Sequence, residues 1–241
     1  MPVYFISDVH LGLGGRDAEK QKETRLIGFL RHILPTTELL FIVGDLFDFW
    51  FDYSTVIPRG FHRTLAALQE FTDSGKEVHY LVGNHDCWMG DFFQTEIGVK
   101  VYREAFEVRL QGKRVYIHHG DGLAENDLGY RLIKPVLRNR VAFRFYRLIH
   151  PDLGVRIARG TSRSSREYTT NKHYGEEKGM IRFAEGKIGQ GFDFVIMGHH
   201  HKPSQVQLNG GVYINLGDWI SYFTYGRMEG GSIVLETWNG Q

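Results

Sequence analysis

Val3-Tyr4-Phe5-Ile6-Ser7-Asp8-Val9-His10 is an apolar run of strand character that ends abruptly in a carboxylate and an imidazole two positions apart. The same grammar returns at Leu39-Leu40-Phe41-Ile42-Val43-Gly44-Asp45 and at Val78-His79-Tyr80-Leu81-Val82-Gly83-Asn84-His85-Asp86. Short, nearly continuous apolar runs are strands buried on both faces, as in a parallel sheet lying between other layers. Between the first two runs, Leu26, Ile27, Phe29, Leu30, Ile33 and Leu34 recur at helical spacing before Pro35. Between the second and third, Phe61, Leu65, Leu68 and Phe71 do the same, with Pro58 ahead and Gly75 as the stop. The order is β-α-β-α-β, and ligands in such layouts lie beyond the carboxyl ends of the strands, where the polar groups fall.

Farther along, Phe106 to Leu110 and Arg114 to His118 flank Gln111-Gly112-Lys113 and predict a hairpin ending in His119-Gly120-Asp121. Phe194 to Met197 leads into Gly198-His199-His200-His201, and Gln205 to Leu208, Val212 to Leu216 and Ser232 to Trp238 are further strands, with Asn209-Gly210-Gly211 as a tight turn. A second, largely antiparallel sheet is expected. The two sheets stacked face to face, with helices outside, would bring all five polar groups to one rim. The stretch from about 122 to 191 has no strand signal. Its first half carries Leu132, Ile133, Val136, Leu137, Phe143, Phe145, Tyr146, Leu148 and Ile149 among arginines, and its second half is strongly polar, which predicts an inserted helical cap on a single domain over 1–241.

Composition narrows the function. Lys plus Arg number 29 against 28 for Asp plus Glu, so a net charge of +1 gives no basic surface for enveloping a nucleic acid, and none is expected as partner. An apolar fraction of 42% is ample for a core. The lone cysteine, Cys87, has no disulfide partner within the chain, as suits a reducing compartment, and is read as a small buried apolar residue. Met1-Pro2 runs directly into a strand, so no signal peptide is expected, and no window approaches the ~20 apolar residues of a membrane span. A cytoplasmic protein is expected, with contact at the inner face of the cell membrane left open and no protein partner inferred.

Carboxylate, imidazole and carboxamide together are ligands for manganese, iron or zinc, whereas a thiolate site would need cysteines. Asp8, His10, Asp45 and His201 are assigned to one divalent ion, and Asp45, Asn84, His119 and His199 to a second, with Asp45 bridging. Two such ions less two carboxylates leave roughly two positive charges focused at the rim, which calls for a phosphate and for hydrolytic phosphoryl transfer. His85 stands beside a ligand as a catalytic acid or charge partner, with Asp86 to orient it, although the pair also fits a purely structural hydrogen bond. His32, His62, His79, His150 and His173 lack a partner motif; His118 should face away from His119, and His200 outward or behind its neighbours.

In these five groups the chain resembles the calcineurin-like metallophosphoesterases, over nearly its whole length. That resemblance implies a four-layer α-β-β-α sandwich, an α/β fold, around a dinuclear centre. Within the superfamily it is most similar to the UDP-2,3-diacylglucosamine hydrolases of lipid A biosynthesis, through Ile6-Ser7-Asp8-Val9-His10-Leu11, Gly44-Asp45-Leu46-Phe47-Asp48 with Trp50, His119-Gly120-Asp121-Gly122-Leu123 with Asn126-Asp127, and Ser164-Ser165-Arg166-Glu167 with Lys172. The likeness implies water attack on the α-phosphate of a UDP-linked acylated sugar, releasing UMP and 2,3-diacylglucosamine 1-phosphate, usually with two Mn2+. It implies substrate contacts at Asn84, His85, Asp127, Ser165 and Lys172, with Arg166 and Asn171 as neighbours. Some members carry Arg at the place of His85, and a small hydroxyl residue is common at that of His200. The apolar half of the cap would hold acyl chains, or simply pack on the core; its arginines would meet phosphates or an anionic bilayer. The alternatives are a metallophosphoesterase for another phosphomonoester, nucleotide or phosphodiester, and a scaffold that has lost catalysis.

Overall fold

A computed structural model describes residues 1–123, 134–135, 139–157, 160 and 176–240. Its first sheet has six strands in the order β11-β10-β1-β2-β3-β4, and its second has five in the order β5-β6-β7-β9-β8. In the first, β1 (Val3–Ile6), β2 (Leu39–Val43), β3 (Glu77–Leu81) and β4 (Lys100–Tyr102) are mutually parallel neighbours, and β10 (Thr224–Glu229) and β11 (Ser232–Thr237) continue it antiparallel on the β1 side. The second comprises β5 (Phe106–Leu110), β6 (Lys113–His118), β7 (Phe194–Met197), β8 (Ser204–Leu208) and β9 (Gly211–Asn215).

The period-2 alternation of the strands sorts their side chains into separate cores. Val3, Phe5, Phe41, Val43 and Leu81 point between the sheets, against Val115, Ile117, Ile196, Ile214 and Leu216 of the second. Tyr4, Ile6, Leu40, Ile42, Val78 and Tyr80 point the other way, onto α1 (Arg16–Ile33) and α2 (His62–Asp73) through Leu26, Phe29, Leu30, Leu65, Leu68 and Phe71. On the far side Tyr116, Val195, Met197 and Tyr213 meet Met180, Ala184 and Ile188 of a helix at Glu176–Gly189. The result is the four-layer α-β-β-α sandwich. The remaining described helices are the short α3 (Phe92–Thr95), α4 (Arg140–Tyr146) and a helical segment at 151–157; Glu176–Gly189 is α5. The part of 122–191 that forms α5 thus belongs to the outer layer.

Two strand expectations need correction. The second sheet is mixed, because β6 pairs parallel with β7 and β7 parallel with β9, with antiparallel pairs only at its two ends. Parallel neighbours need a crossover, and α5 lies on the one joining β6 to β7. Ser232–Thr237 belongs to the first sheet, through β10, which the sequence reading had missed. The signal for β10 lay in its alternation: Thr224, Gly226 and Met228 lie on the inner face, while Tyr225, Arg227 and Glu229 lie on the opposite one, where Tyr225 packs on Tyr4 and Phe29. Gly226 obscured it, yet a Cβ there would stand 3.1 Å from Leu216, so the inner sheet surface needs the missing side chain.

Candidate metal centre

All five polar groups follow the carboxyl ends of their strands: Asp8 and His10 after β1, Asp45 after β2, Asn84 and His85 after β3, His119 after β6, and His199 and His201 after β7. The first three groups belong to one sheet and the last two to the other. Backbone hydrogen bonds continue beyond the strands to hold the rim: Asp8 N–H donates to Gly44 O (3.1 Å), His10 N–H to Asp45 O (2.9 Å) and Gly198 N–H to His119 O (2.9 Å). Asp8, His10, Asp45, His199 and His201 all have left-handed φ, between 49° and 68°. Each such residue costs roughly 1–2 kcal/mol, and strain of this kind persists where the surroundings over-determine it. Glycine supplies the remaining closeness: a Cβ on Gly83 would lie 2.0 Å from Asp45 Oδ1, and one on Gly44 2.3 Å from His119 Nδ1.

Among the described residues the metal-binding atoms gather in three groups, each with its donor atoms within 4.8 Å of one another: Asp8 with His10 and His201, Asp45 with His119 and His199, and, beside the first, His10 with Asp48 and His85. Asp45 Oδ2 lies between the first two, 3.7 Å from His10 Nε2 and 3.3 Å from His119 Nε2. His10 Nε2 and His201 Nε2 approach Asp8 Oδ1 at 3.7 and 3.6 Å. Asn84 Oδ1 is 3.0 Å from His119 Nε2, which places the carboxamide with the second group.

One oxygen of each carboxylate is tied down and the other is not. Asp8 Oδ2 accepts from His199 N–H (2.8 Å) and Asp45 Oδ1 from His85 N–H (2.9 Å). Asp8 Oδ1, Asp45 Oδ2 and His10 Nε2 are buried without a hydrogen-bond partner. An unsatisfied buried polar atom costs about 1–3 kcal/mol, so three converging on one place fit a cation that would satisfy all of them. The outer nitrogens fit as well. His119 Nδ1 is 2.8 Å from Val43 O and therefore carries the proton, leaving Nε2 to face the centre; His201 Nδ1 stands 3.3 Å from Asp218 Oδ2. Asp218, whose Oδ1 accepts from the N–H groups of Ile220, Ser221 and Tyr222, escaped the sequence reading because it follows β9 with no histidine beside it.

Charge follows this geometry. Burial pushes Asp8 up, but hydrogen bonding with His10 and the charges of His201 and His119 outweigh it and hold the carboxyl at about 2. Burial likewise pulls His10 and His119 down, while Asp48 and Asp8 raise the first to about 9 and Asp45 raises the second to about 10. The pocket is therefore a concentrated negative field that attracts protons or metal cations. His85 differs: burial holds its imidazole below the ordinary value, the Asp45 charge only partly opposing.

Asp86 does not orient His85. Its carboxylate accepts from Gly83 N–H (2.7 Å) and Tyr80 O–H (2.5 Å), bracing the turn, and burial beside Asp45 raises it to about 6. The group against His85 is Asp48, whose carbonyl lies 3.1 Å from His85 Nδ1. His118 turns away as expected, toward Phe183, with Nδ1 accepting from Gly120 N–H. His79 sits among Phe41, Tyr102 and Phe106. Cys87 is half-buried, more open than a core residue. Asp127, Ser165, Arg166, Asn171, Lys172 and His173 lie outside the described residues.

Such an array, with donors from two sheets around a shared carboxylate, coincides with what sequence comparison finds. The family model for calcineurin-like phosphoesterase matches residues 1–203. The chain belongs to that family. It is a metal-dependent phosphoric ester hydrolase. It is 34% identical to the UDP-2,3-diacylglucosamine hydrolase of Porphyromonas gingivalis, over 98% of this chain and 97% of that one. It is 29% identical to the enzyme of the same name from Stenotrophomonas maltophilia R551-3, over 98% of each. Among solved structures, an archaeal phosphodiesterase aligns with a TM-score of 0.49 at 14% identity, covering 98% of this chain and 99% of that chain.

Proposed function

We propose that this phosphoesterase hydrolyses the pyrophosphate of UDP-2,3-diacylglucosamine, giving UMP and 2,3-diacylglucosamine 1-phosphate. The observation that carries the chemistry is the convergence of Asp8 Oδ1, Asp45 Oδ2 and His10 Nε2, buried and unsatisfied, between two groups of ligand atoms. The substrate rests on likeness to hydrolases of that name along almost the whole chain. Asp8, His10 and His201 would hold one divalent ion and Asn84, His119 and His199 the other, with Asp45 shared. When bound, the pair supplies a water acidified toward neutrality and a clamp for phosphoryl oxygens. Manganese is the proposed ion, and the all nitrogen and oxygen donor set also accepts iron or zinc.

The protein's own groups do the rest. Asp8, His10, Asp45 and His119 are nearly inaccessible, whereas Asn84, His85, His199 and His201 are partly open, so the phosphate approaches from their side. With Nδ1–H directed to the Asp48 carbonyl, His85 exchanges its proton at Nε2, which suits protonation of the bridging oxygen that leaves with 2,3-diacylglucosamine 1-phosphate. From Asp48 a cleft of about 680 Å³ extends between the loop bearing Phe49, Phe51, Tyr53 and Phe61 and the segment bearing Val155 and Arg156. Mostly apolar, with arginine at the side, it fits an acylated sugar phosphate better than a soluble phosphomonoester. Asp127, Ser165, Arg166, Asn171 and Lys172 are proposed as further substrate contacts.

The helices beside the cleft expose Val141, Phe145, Leu148, Leu153 and Ile157 next to Arg144, Arg147 and Arg156. No helix among the described residues is long and apolar enough to cross a membrane. A surface of this mixture suits contact with an anionic bilayer from the cytoplasmic side, where the acylated substrate would reside. The decisive assay is Mn2+-dependent release of UMP from detergent-solubilised UDP-2,3-diacylglucosamine, compared with a cyclic nucleotide, single-stranded DNA and nitrophenyl phosphate. Asp45→Ala should reduce turnover at least about 100-fold, beyond what is usual for outer-sphere partners, with the fold retained by circular dichroism. Preference for any comparison substrate would defeat the lipid assignment, and ordinary turnover by the variant would defeat the shared ligand.

A further inference from the structure

β5 is the outermost strand of the second sheet, and among the described residues no strand pairs with its free side. Its sequence, Phe106-Glu107-Val108-Arg109-Leu110, carries neither Pro nor Lys, residues that ordinarily keep an edge from pairing. Phe106, Val108 and Leu110 turn inward between the sheets, while Glu107 and Arg109 are exposed on the opposite face.

The free side has a defined hydrogen-bonding pattern. Opposite residues of an antiparallel pair are alternately bonded and not bonded to each other. Gln111 and Gly112, both with positive φ, form the two-residue turn that closes Leu110 on Lys113. Arg114, opposite Arg109, turns its main chain to Asp193 instead, donating from N–H to Oδ2 and accepting at its carbonyl from Asp193 N–H, each at 2.8 Å. The main-chain groups of Arg109, and by the same alternation those of Glu107 opposite Tyr116, therefore face away from β6. The Gln111 side chain donates to Met1 O and accepts from Gly231 N–H, at 3.0 Å each, so the end of the hairpin is held in place.

A twofold axis at Val108 would set two such strands antiparallel, with Glu107 of each copy against Arg109 of the other. These are the residues whose N–H and C=O groups are turned outward, so each pair would be a bonded one, with a carboxylate across from a guanidinium. Phe106 would face Leu110 of the second copy, and Val108 its own counterpart, extending the apolar layer between the sheets. The other edges lack this self-matching. β4 has only three residues, β8 carries no charge, and the one charge of β11, Glu236, already accepts from Tyr225 and Arg227. We propose that the free side of β5 pairs with β5 of a second copy of this chain, joining the two second sheets into one across a twofold axis. Neither Glu107 nor Arg109 belongs to the metal centre, so the inference stands apart from the substrate assignment.

The test is sedimentation velocity of the full chain from low to high micromolar concentration, for the wild type, Glu107→Arg, Arg109→Glu, the double variant Glu107→Arg/Arg109→Glu, and an equimolar mixture of the two single variants. Each single substitution sets like charges opposite each other at both contacts and should weaken self-association about tenfold or more. The double variant restores the match with the charges exchanged and should associate as the wild type does. In the mixture, one strand carries two arginines and the other two glutamates, so a heterodimer should form from variants that are each monomeric alone. Circular dichroism checks that every variant keeps the fold. In the wild type, amide exchange at Glu107 and Arg109 should slow as concentration rises, a reading that needs no substitution. The proposal is overturned if the wild type is monomeric throughout, if exchange at these two amides is independent of concentration, if the single substitutions leave association unchanged, or if neither the double variant nor the mixture recovers it.

Discussion

Protons and cations compete for the same nitrogens in this centre. His10 is raised to about 9 and His119 to about 10 before any metal binds, because buried Asp8, Asp45 and Asp48 face them. A raised imidazole stabilises the metal-free fold fully below its ordinary value of about 6.5, and that contribution fades as pH climbs through the folded values. A metal ion must displace these protons, so its apparent affinity rises over the same window. The increase in melting temperature caused by Mn2+ should therefore be small at pH 6.5 and larger at pH 8.5. Loading at pH 7 should release about two protons per molecule, measurable by calorimetry in buffers of differing ionisation enthalpy. A metal-induced shift that shrinks with pH would contradict the arrangement.

Among the elements, α4 makes the most consequential contact, because it joins the inserted segment to the rim. Phe143 stacks on Phe51 at 4.7 Å, Tyr146 meets Phe51 at 4.8 Å and Trp88 at 4.3 Å, and an Arg147 guanidinium nitrogen donates to Asp52 O (3.2 Å). Phe51 and Trp88 follow the second and third groups, so this aromatic seam ties α4 to the loops that carry Asp45 and Asn84. Asp52 braces those loops further: its Oδ1 accepts from the Trp50 indole N–H and its Oδ2 from Gly90 N–H (2.8 Å) and Phe92 N–H (3.1 Å). Aromatic pairs add about 0.5–1.5 kcal/mol each beyond area burial. Replacing Phe143 and Tyr146 together by Ala should loosen the seam without touching the ligands. We expect kcat/KM for the diacylated substrate to fall at least about tenfold, a loss of about 1.4 kcal/mol, while a small phosphodiester is hydrolysed at close to the wild-type rate. Equal losses on both substrates would show that the seam serves the chemistry itself.

At the scale of the whole molecule, the centre is a tie between two sheets that pack on each other largely through an apolar interface. Asp8, Asp45 and Asn84 come from one sheet, His119, His199 and His201 from the other, and Asp8 Oδ2 with His199 N–H already bridges them. Metal binding should accordingly raise amide-exchange protection around residues 8–11, 45–48, 83–86, 119–121 and 198–201 together, in both sheets, and leave the α1–α2 face unchanged. Protection confined to one sheet would rule out a shared cation pair. Much of this was legible in the sequence, because burial and ligand chemistry act locally: apolar runs such as Leu39–Val43 can only be interior strands, and a carboxylate or imidazole placed at the end of each leaves few uses other than a metal. The pairing of strands was not legible. Ser232–Thr237 has the same alternation whichever sheet receives it, and its place was settled by β10, whose Gly226 yields to the packing of Phe5 and Leu216. Nor could spacing tell Asp86 from Asp48 as the partner of His85, since hydrogen bonds are made by whichever atoms the completed fold brings within about 3 Å. The chain by itself determined its layers, the polar groups that gather at the rim and its class of reaction; only the tertiary structure decided which carboxylate lies beside which imidazole, because that depends on distances between segments far apart in sequence.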